Sequence, residues 1–208
     1  MGGMIMERFF LCAALAAAAL AGASVRADAD PPQYRAVLLP ETEMYRHNLT
    51  GLNDAGAAVG FEWTGMESSI GVIWRQRSGE ELEPPPEPLL PMVRLLGMNN
   101  AGTVVGATVS WDDWRQQQFP VIWRDGRAAY LETWNPALNE GMALDINNSG
   151  TIVGYTVQEW LPGSDWYPHR PTVWTPDLVA HRLSLPSDWT KRYAADWSAE
   201  AQFINDAG

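Results

Sequence analysis

Past the first 27 residues, apolar positions come in short bursts divided by turn residues. No stretch of a dozen residues keeps the three-to-four spacing of an amphipathic helix. The bursts are rich in Val, Ile and Thr, as in "TIVGYTV" (151–157), "PVIW" (120–123) and "PTVW" (171–174). Such residues suit extended, half-buried backbone. The pattern predicts short β-strands and many turns.

The bursts recur in a fixed order. "GLNDAGAAVG" from Gly51, "GMNNAGTVVG" from Gly97 and "DINNSGTIVG" from Asp145 align without a gap, and a fourth copy, "FINDAG", begins at Phe203. The leading asparagines are Asn53, Asn99, Asn147 and Asn205, at steps of 46, 48 and 58 residues. An apolar triplet ending in Trp74, Trp123 or Trp174 follows each of the first three by 21 to 27 residues. Short alternating segments from Ala128 and Ala180 close the second and third periods, and "YRAVLLP" from Tyr34 looks like the same element standing alone.

Each period reads as four strands, a to d. Strands a and b are joined by a type I turn, with asparagine first (Asn53, Asn99, Asn147, Asn205) and glycine fourth (Gly56, Gly102, Gly150, Gly208). "RDGR" (124–127) marks a second hairpin between c and d. Gly60, Gly106 and Gly154 fall inside strand b, where glycine points to a bend or to another backbone lying close. The strand-c tryptophans are read as core, filling the space over those glycines. The fold expected is all-β: repeated four-stranded antiparallel units of 46–58 residues, β-propeller-like and incomplete, with a β-solenoid as the alternative. The units run approximately over 48–91, 92–140 and 141–198. A fourth starts at 199–208, and an isolated outer strand is expected at 34–40. A closed propeller needs at least four blades, so the chain is expected to be a fragment of a larger assembly.

The "INNSGTIVGY" stretch, followed by an apolar triplet ending in tryptophan, resembles the HAF-type extracellular repeat family of bacteria. The resemblance covers residues 34–208, with Val-Ile-Trp and Thr-Val-Trp where the family usually has aromatic-Leu-Trp. It implies a secreted or surface-associated, propeller-like protein and brings no catalytic residues with it.

The N-terminus has the grammar of a signal peptide. Arg8 precedes the apolar run 9–23, and small residues lead to acidic "DAD", placing cleavage after Ala27 or alternatively after Ala23. The remaining repeat domain, 28–208, is thus expected to be secreted, periplasmic or at the cell surface, with no membrane span. Cys12 is the only cysteine, so removal of the leader leaves no disulfide to hold the fold, and a hydrophobic core must do so. Without Glu7, Arg8 and Arg26 the chain carries 24 acidic and 12 basic residues, a balance that argues against nucleic acid as a partner.

In an up-and-down unit the tight turns a–b and c–d share one edge, and the variable loops b–c and d–a share the other. Loops on a rigid scaffold are where binding is usually built. The b–c segments "SWDDWRQQQ" (110–118) and "EWLPGSDWYPH" (159–169) are aromatic and acidic. The candidate ligand-binding residues are therefore Trp111, Asp112, Asp113, Trp114, Trp160, Asp165, Trp166 and His169. Aromatic faces beside carboxylates suit sugar rings, making a glycan or a surface protein the expected partner. The plainer alternative is that these tryptophans pack between units while the acids face water.

Enzymatic signals are sparse. Asp112 and Asp113 are adjacent, so in an extended segment they point apart. His47, His169 and His181 lack metal-ligand spacing, and no nucleophile elbow or nucleotide loop is present. A propeller-type hydrolase or lyase with part of its site in other repeats is the alternative function. "EELEPPPEPLLP" (80–91) reads as a stiff connector, and Asn48 heads a glycosylation sequon. No cofactor is expected. Calcium at Asp145, Asn147 and Ser149 is the weaker alternative, because the sibling copies replace Asp145 by Gly51 and Gly97 while keeping the asparagine and glycine of the turn.

Overall fold

A computed structural model describes residues 47–76, 78–86, 92–112, 115–158, 167–184 and 198–208, with His47 and Asp112 described by backbone alone. The leader and the strand expected at 34–40 lie outside these residues. Within them the protein is all-β, forming two open sheets.

The first repeat is a meander of β1 (His47–Leu52), β2 (Ala58–Trp63), β3 (Ser69–Arg75) and β4 (Ser78–Leu82), each antiparallel to the next. The second is β5 (Met92–Met98), β6 (Val104–Asp112), β7 (Arg115–Arg124) and β8 (Arg127–Tyr130). A single parallel pairing, Ser69 with Met92, fuses these meanders into an eight-stranded sheet. The third, β9 (Gly141–Ile146), β10 (Ile152–Val157), β11 (His169–Trp174) and β12 (Ala180–Arg182), forms a separate four-stranded sheet.

Two elements differ from the pattern read along the chain. Strand d of the first repeat is "SGEEL" (β4), which overlaps the segment expected to be a connector. Its composition is poor for a strand, and it is held by pairing with β3 from Arg75–Ser78 to Gly71–Leu82. The b–c segment of the second repeat is mostly strand rather than loop. β6 continues to Asp112 and β7 begins at Arg115, and Trp111 pairs with Gln116.

The Asn-x-x-Gly turns form as expected. Gly56, Gly102, Gly150 and Gly208 adopt φ of +76° to +90°, and each donates its N–H to the asparagine carbonyl three residues back at 3.0–3.2 Å. The Oδ1 of Asn53, Asn99 and Asn147 accepts from the backbone N–H four residues on, at 2.9–3.0 Å.

The other end of the same side chains does something the turn alone does not require. The Nδ2 of Asn53 donates to the carbonyl of Asn99, that of Asn99 to Asn147, and that of Asn147 to Asn205, at 3.1–3.3 Å. A parallel rail runs through the next position. The N–H groups of Asp54, Asn100 and Asn148 donate to the side-chain oxygens of Asn100, Asn148 and Asp206 at 2.8–2.9 Å. Four turns thus stack in one continuous ladder linking all the repeats.

The strand-b glycines answer to backbone rather than to tryptophan, correcting the expectation that an indole fills the space above them. A Cβ on Gly60, Gly106 or Gly154 would sit 1.9–2.0 Å from the carbonyl oxygen of Asn48, Arg94 or Met142 in the paired strand a. At that place the a–b register slips by one residue in every repeat. The bulge brings a carbonyl over strand b, and only glycine leaves room for it.

Trp74, Trp123 and Trp174 are buried, at 3%, 3% and 0% exposure. Trp123 Nε1 donates to the carbonyl of Glu83, just past β4, and Trp174 Nε1 to that of Glu132, just past β8, both at 2.7 Å. Each of these two indoles therefore ties its repeat to the outer strand of the one before. The apolar layers lie between repeats: one cluster joins Val59 and Ile73 to Leu95 and Val121, and another joins Val105 and Ile122 to Ala143 and Ile152.

Because Asn99 is buried and bonded to both its own turn and the next, Asn99→Ala strands the Thr103 N–H and removes one of the two hydrogen bonds that the Asn147 carbonyl accepts. The expected loss is on the order of 2–4 kcal/mol. Asn53→Ala, at a half-buried turn, should cost less. Urea denaturation of both variants checks this, with equal losses counting against the ladder.

Candidate functional site at the long-loop edge

Strand a enters each repeat from the long-loop edge, and β7 and β11 begin there. Side chains near these starts meet across the junctions between repeats. Ser69, Gln118 and His169 each stand five residues before their tryptophan, and each reaches forward to the next repeat. Ser69 Oγ donates to the Val93 carbonyl at 2.9 Å. Gln118 Oε1 accepts from the Tyr155 hydroxyl, and His169 Nδ1 lies 2.8 Å from Glu200 Oε1.

The segment 198–201 lies along the third repeat as β5 lies along the first. His169 N–H donates to Ser198 Oγ at 2.9 Å, Ala199 N–H to the His169 carbonyl at 3.1 Å, and Ala201 N–H to the Gly154 carbonyl at 3.1 Å. This course delivers Glu200 to His169. The His169 ring also stacks on Tyr155, with centroids 3.9 Å apart and planes within 9°. Burial holds the Tyr155 phenol protonated well above its usual range, and the negative charge of Glu200 adds to this while Arg94 opposes it.

Alongside this group, Arg115 forms a salt bridge with Glu140 and lies 3.6 Å over the Tyr167 ring. Glu140 is buried, and desolvation raises its pKa even though Arg115, by charge and hydrogen bond, pulls it down. Arg170 is buried, with Nε donating to Gln158 Oε1 at 2.6 Å. Desolvation first, then the charge of Arg182, lowers its pKa to about 10. Arg94, on β5, lies 6.0 Å from the Phe61 ring and 5.9 Å from the Trp63 ring.

Of the residues singled out along the chain, Trp111 is 55% exposed at the end of β6. Its pairing with Gln116, and that of Val109 with Gln118, put Trp111, Gln116 and Gln118 on one pleat face. That is the face from which Gln118 reaches Tyr155. Trp111 thus shares the face turned to the junction between the second and third repeats, whereas His169 reaches the fourth copy through Glu200. Tyr155, bonded to Gln118 and stacked on His169, lies between them. Asp112 pairs through its backbone with Arg115. Asp113, Trp114, Trp160, Asp165 and Trp166 lie outside the described residues.

Reading along the chain missed Tyr155, Gln118, Glu140, Arg94 and Glu200. Glu200 had one available signal, since it stands five residues before Asn205 as Arg94 does before Asn99 and Met142 before Asn147. Asp145, weighed as a calcium ligand, has both carboxylate oxygens engaged. Oδ1 accepts from Ile146 N–H at 2.9 Å and Oδ2 from Ile204 N–H at 3.0 Å, so it ties the fourth copy to the third. A separate cleft of about 470 Å³ opens between the outer strands, lined by residues 130–134 and 177–180. Among the described residues no helix is long and apolar enough to cross a membrane. Comparisons with protein-family models, curated proteins and solved structures gave no match.

The raised Glu140 pKa carries a sign. The folded state holds this proton more tightly than the unfolded chain, so Glu140 contributes stability at low pH. That contribution is lost as pH rises from the ordinary glutamate value of 4.5 through the raised one. Urea midpoints across this window should fall less steeply for Glu140→Gln than for the parent protein. Superimposable slopes would show that Arg115 fully offsets the desolvation.

Proposed function

We propose that this chain is a secreted or cell-surface β-repeat module that binds a glycan at the long-loop edge between its second and third repeats. The carrying observation is Trp111, an indole left 55% exposed on a paired strand and sharing its face with Gln116 and Gln118. An exposed aromatic face beside amide donors and acceptors suits the C–H faces and hydroxyl groups of a sugar ring. Export is supported by the leader-like N-terminus, and the likeness of the repeat to the HAF-type extracellular pattern points the same way. We read the architecture as propeller-like. Support comes from the four-stranded meanders, the apolar layers between successive repeats and the turns stacked along one edge.

One observation favours the alternative of a hydrolase or lyase. His169 and Glu200 form an acid–imidazole pair at 2.8 Å, each side chain 31% exposed, between the third repeat and the fourth copy. Such a pair has the composition of a general acid–base couple. No side chain beside it is set up as a nucleophile among the described residues, so binding is the better-supported reading.

Glycan-array screening followed by calorimetric titration should identify a sugar ligand for the full chain. Replacing Trp111 and Trp114 by alanine should abolish its binding while leaving the circular dichroism spectrum and melting temperature unchanged. Retained binding in that variant would refute the site. Turnover of a polysaccharide that is lost in both His169→Ala and Glu200→Gln would establish the enzymatic alternative.

A further inference from the structure

Among the described arginines at the long-loop edge, Arg94 stands out because its guanidinium meets aromatic rings rather than a polar partner. Arg115 has Glu140, and Arg170 has Gln158 and the His169 carbonyl. Among the described residues the Arg94 side chain makes no hydrogen bond and no ion pair, and its Nε is enclosed without a partner. The residue as a whole is half-buried, so the enclosure of Nε does not extend over all of it. An arginine with a buried unpaired donor costs stability unless something else compensates.

What surrounds it is aromatic. Phe61 and Trp63, from strand b of the first repeat, lie within 6.0 Å of the guanidinium carbon. Phe61 is buried, whereas Trp63 is only half-buried and keeps part of its indole open. These two rings meet edge to face, with centroids 5.9 Å apart. Glu200, which like Arg94 acts on Tyr155, is bonded through Oε1 to His169.

A guanidinium presents parallel N–H donors that match a carboxylate, and an adjacent indole presents a flat apolar face. We propose that Arg94 and Trp63 form a subsite for an acidic sugar, with the carboxylate of a uronic acid on the Arg94 terminal nitrogens and the pyranose face against Trp63. The inference rests on the glycan-binding reading and specifies its ligand class. The protein's net charge of −11 does not oppose it at contact, since charges more than about 10 Å away are largely screened at physiological salt while Arg94 is adjacent. A sugar acid is favoured over a bare anion because Trp63 would have no role with the latter.

The full chain is titrated with sodium D-glucuronate, D-glucose and sodium acetate, followed by tryptophan fluorescence and calorimetry. Glucuronate should bind at least tenfold more tightly than either control and perturb the tryptophan emission. Arg94→Met should erase that preference while leaving the melting temperature unchanged or raised, because an unpaired buried donor has been removed. A lowered melting temperature with the glucuronate preference intact would make Arg94 a structural residue held by its rings, and would overturn the inference. Should Arg94→Met fail to fold, Arg94→Lys is read instead. Keeping the charge but losing the fork, it should lose glucuronate affinity severalfold with glucose unchanged. Equal affinity for glucose and glucuronate would overturn the inference and leave the glycan reading standing. Acetate binding as tightly as glucuronate would overturn the sugar component. Absence of binding to any sugar, here and on the array, would remove both.

Discussion

Asparagine at the head of each a–b turn is the constraint on which the rest depends. Its side chain has an acceptor at one end and a donor at the other, and the repeat uses both. Oδ1 satisfies the backbone of its own turn, while Nδ2 reaches the carbonyl of the next turn. Aspartate would lose the donor, serine the reach, and glutamine the geometry of the turn. One residue thereby couples local folding of a hairpin to the stacking of that hairpin on its neighbour. A repeat protein needs such coupling, because its units are stabilised mainly by the interfaces between them.

The remaining inter-repeat contacts extend this coupling outward. From the ladder at the tight-turn edge, apolar layers run between successive repeats. At the outer strands, Trp123 and Trp174 reach back to carbonyls of the preceding repeat. The glycine of strand b supports the same arrangement from inside the sheet. It admits the bulged carbonyl of strand a, and the bulge sets how that strand enters from the long-loop edge. Arg94, whose carbonyl occupies one of these bulges, and Glu200, at the equivalent place in the fourth copy, are thus positioned by the same device that builds the repeat.

The candidate site inherits its form from this scaffold. Position five before each tryptophan faces forward to the next repeat, and what it does depends on the residue there. Serine makes a backbone bond, glutamine meets a tyrosine, and histidine meets a glutamate. The scaffold is constant while the chemistry at one register position varies from junction to junction. Such an arrangement lets a repeat protein place different polar groups along one edge without altering its core.

Much of the framework was legible in the amino-acid sequence, because turns and strand pairs are local. Asn-x-x-Gly fixes a hairpin within four residues, and alternating Val, Ile and Thr fix the pleat on either side. Exposed Trp111 was also visible as a candidate. Strand β4 was not, since "SGEEL" lacks any strand preference and becomes a strand only because β3 offers an edge. Nor were the partners of the asparagine amide, which lie 46 to 58 residues away. Tyr155 resembled any strand tyrosine until Gln118, His169 and Glu200 gathered round it from three repeats. By itself the sequence determined the repeating unit, its turns and its glycines, all set by interactions within a few residues. Only the tertiary structure decided which side chains meet between units, because those distances depend on how one repeat stacks on the next.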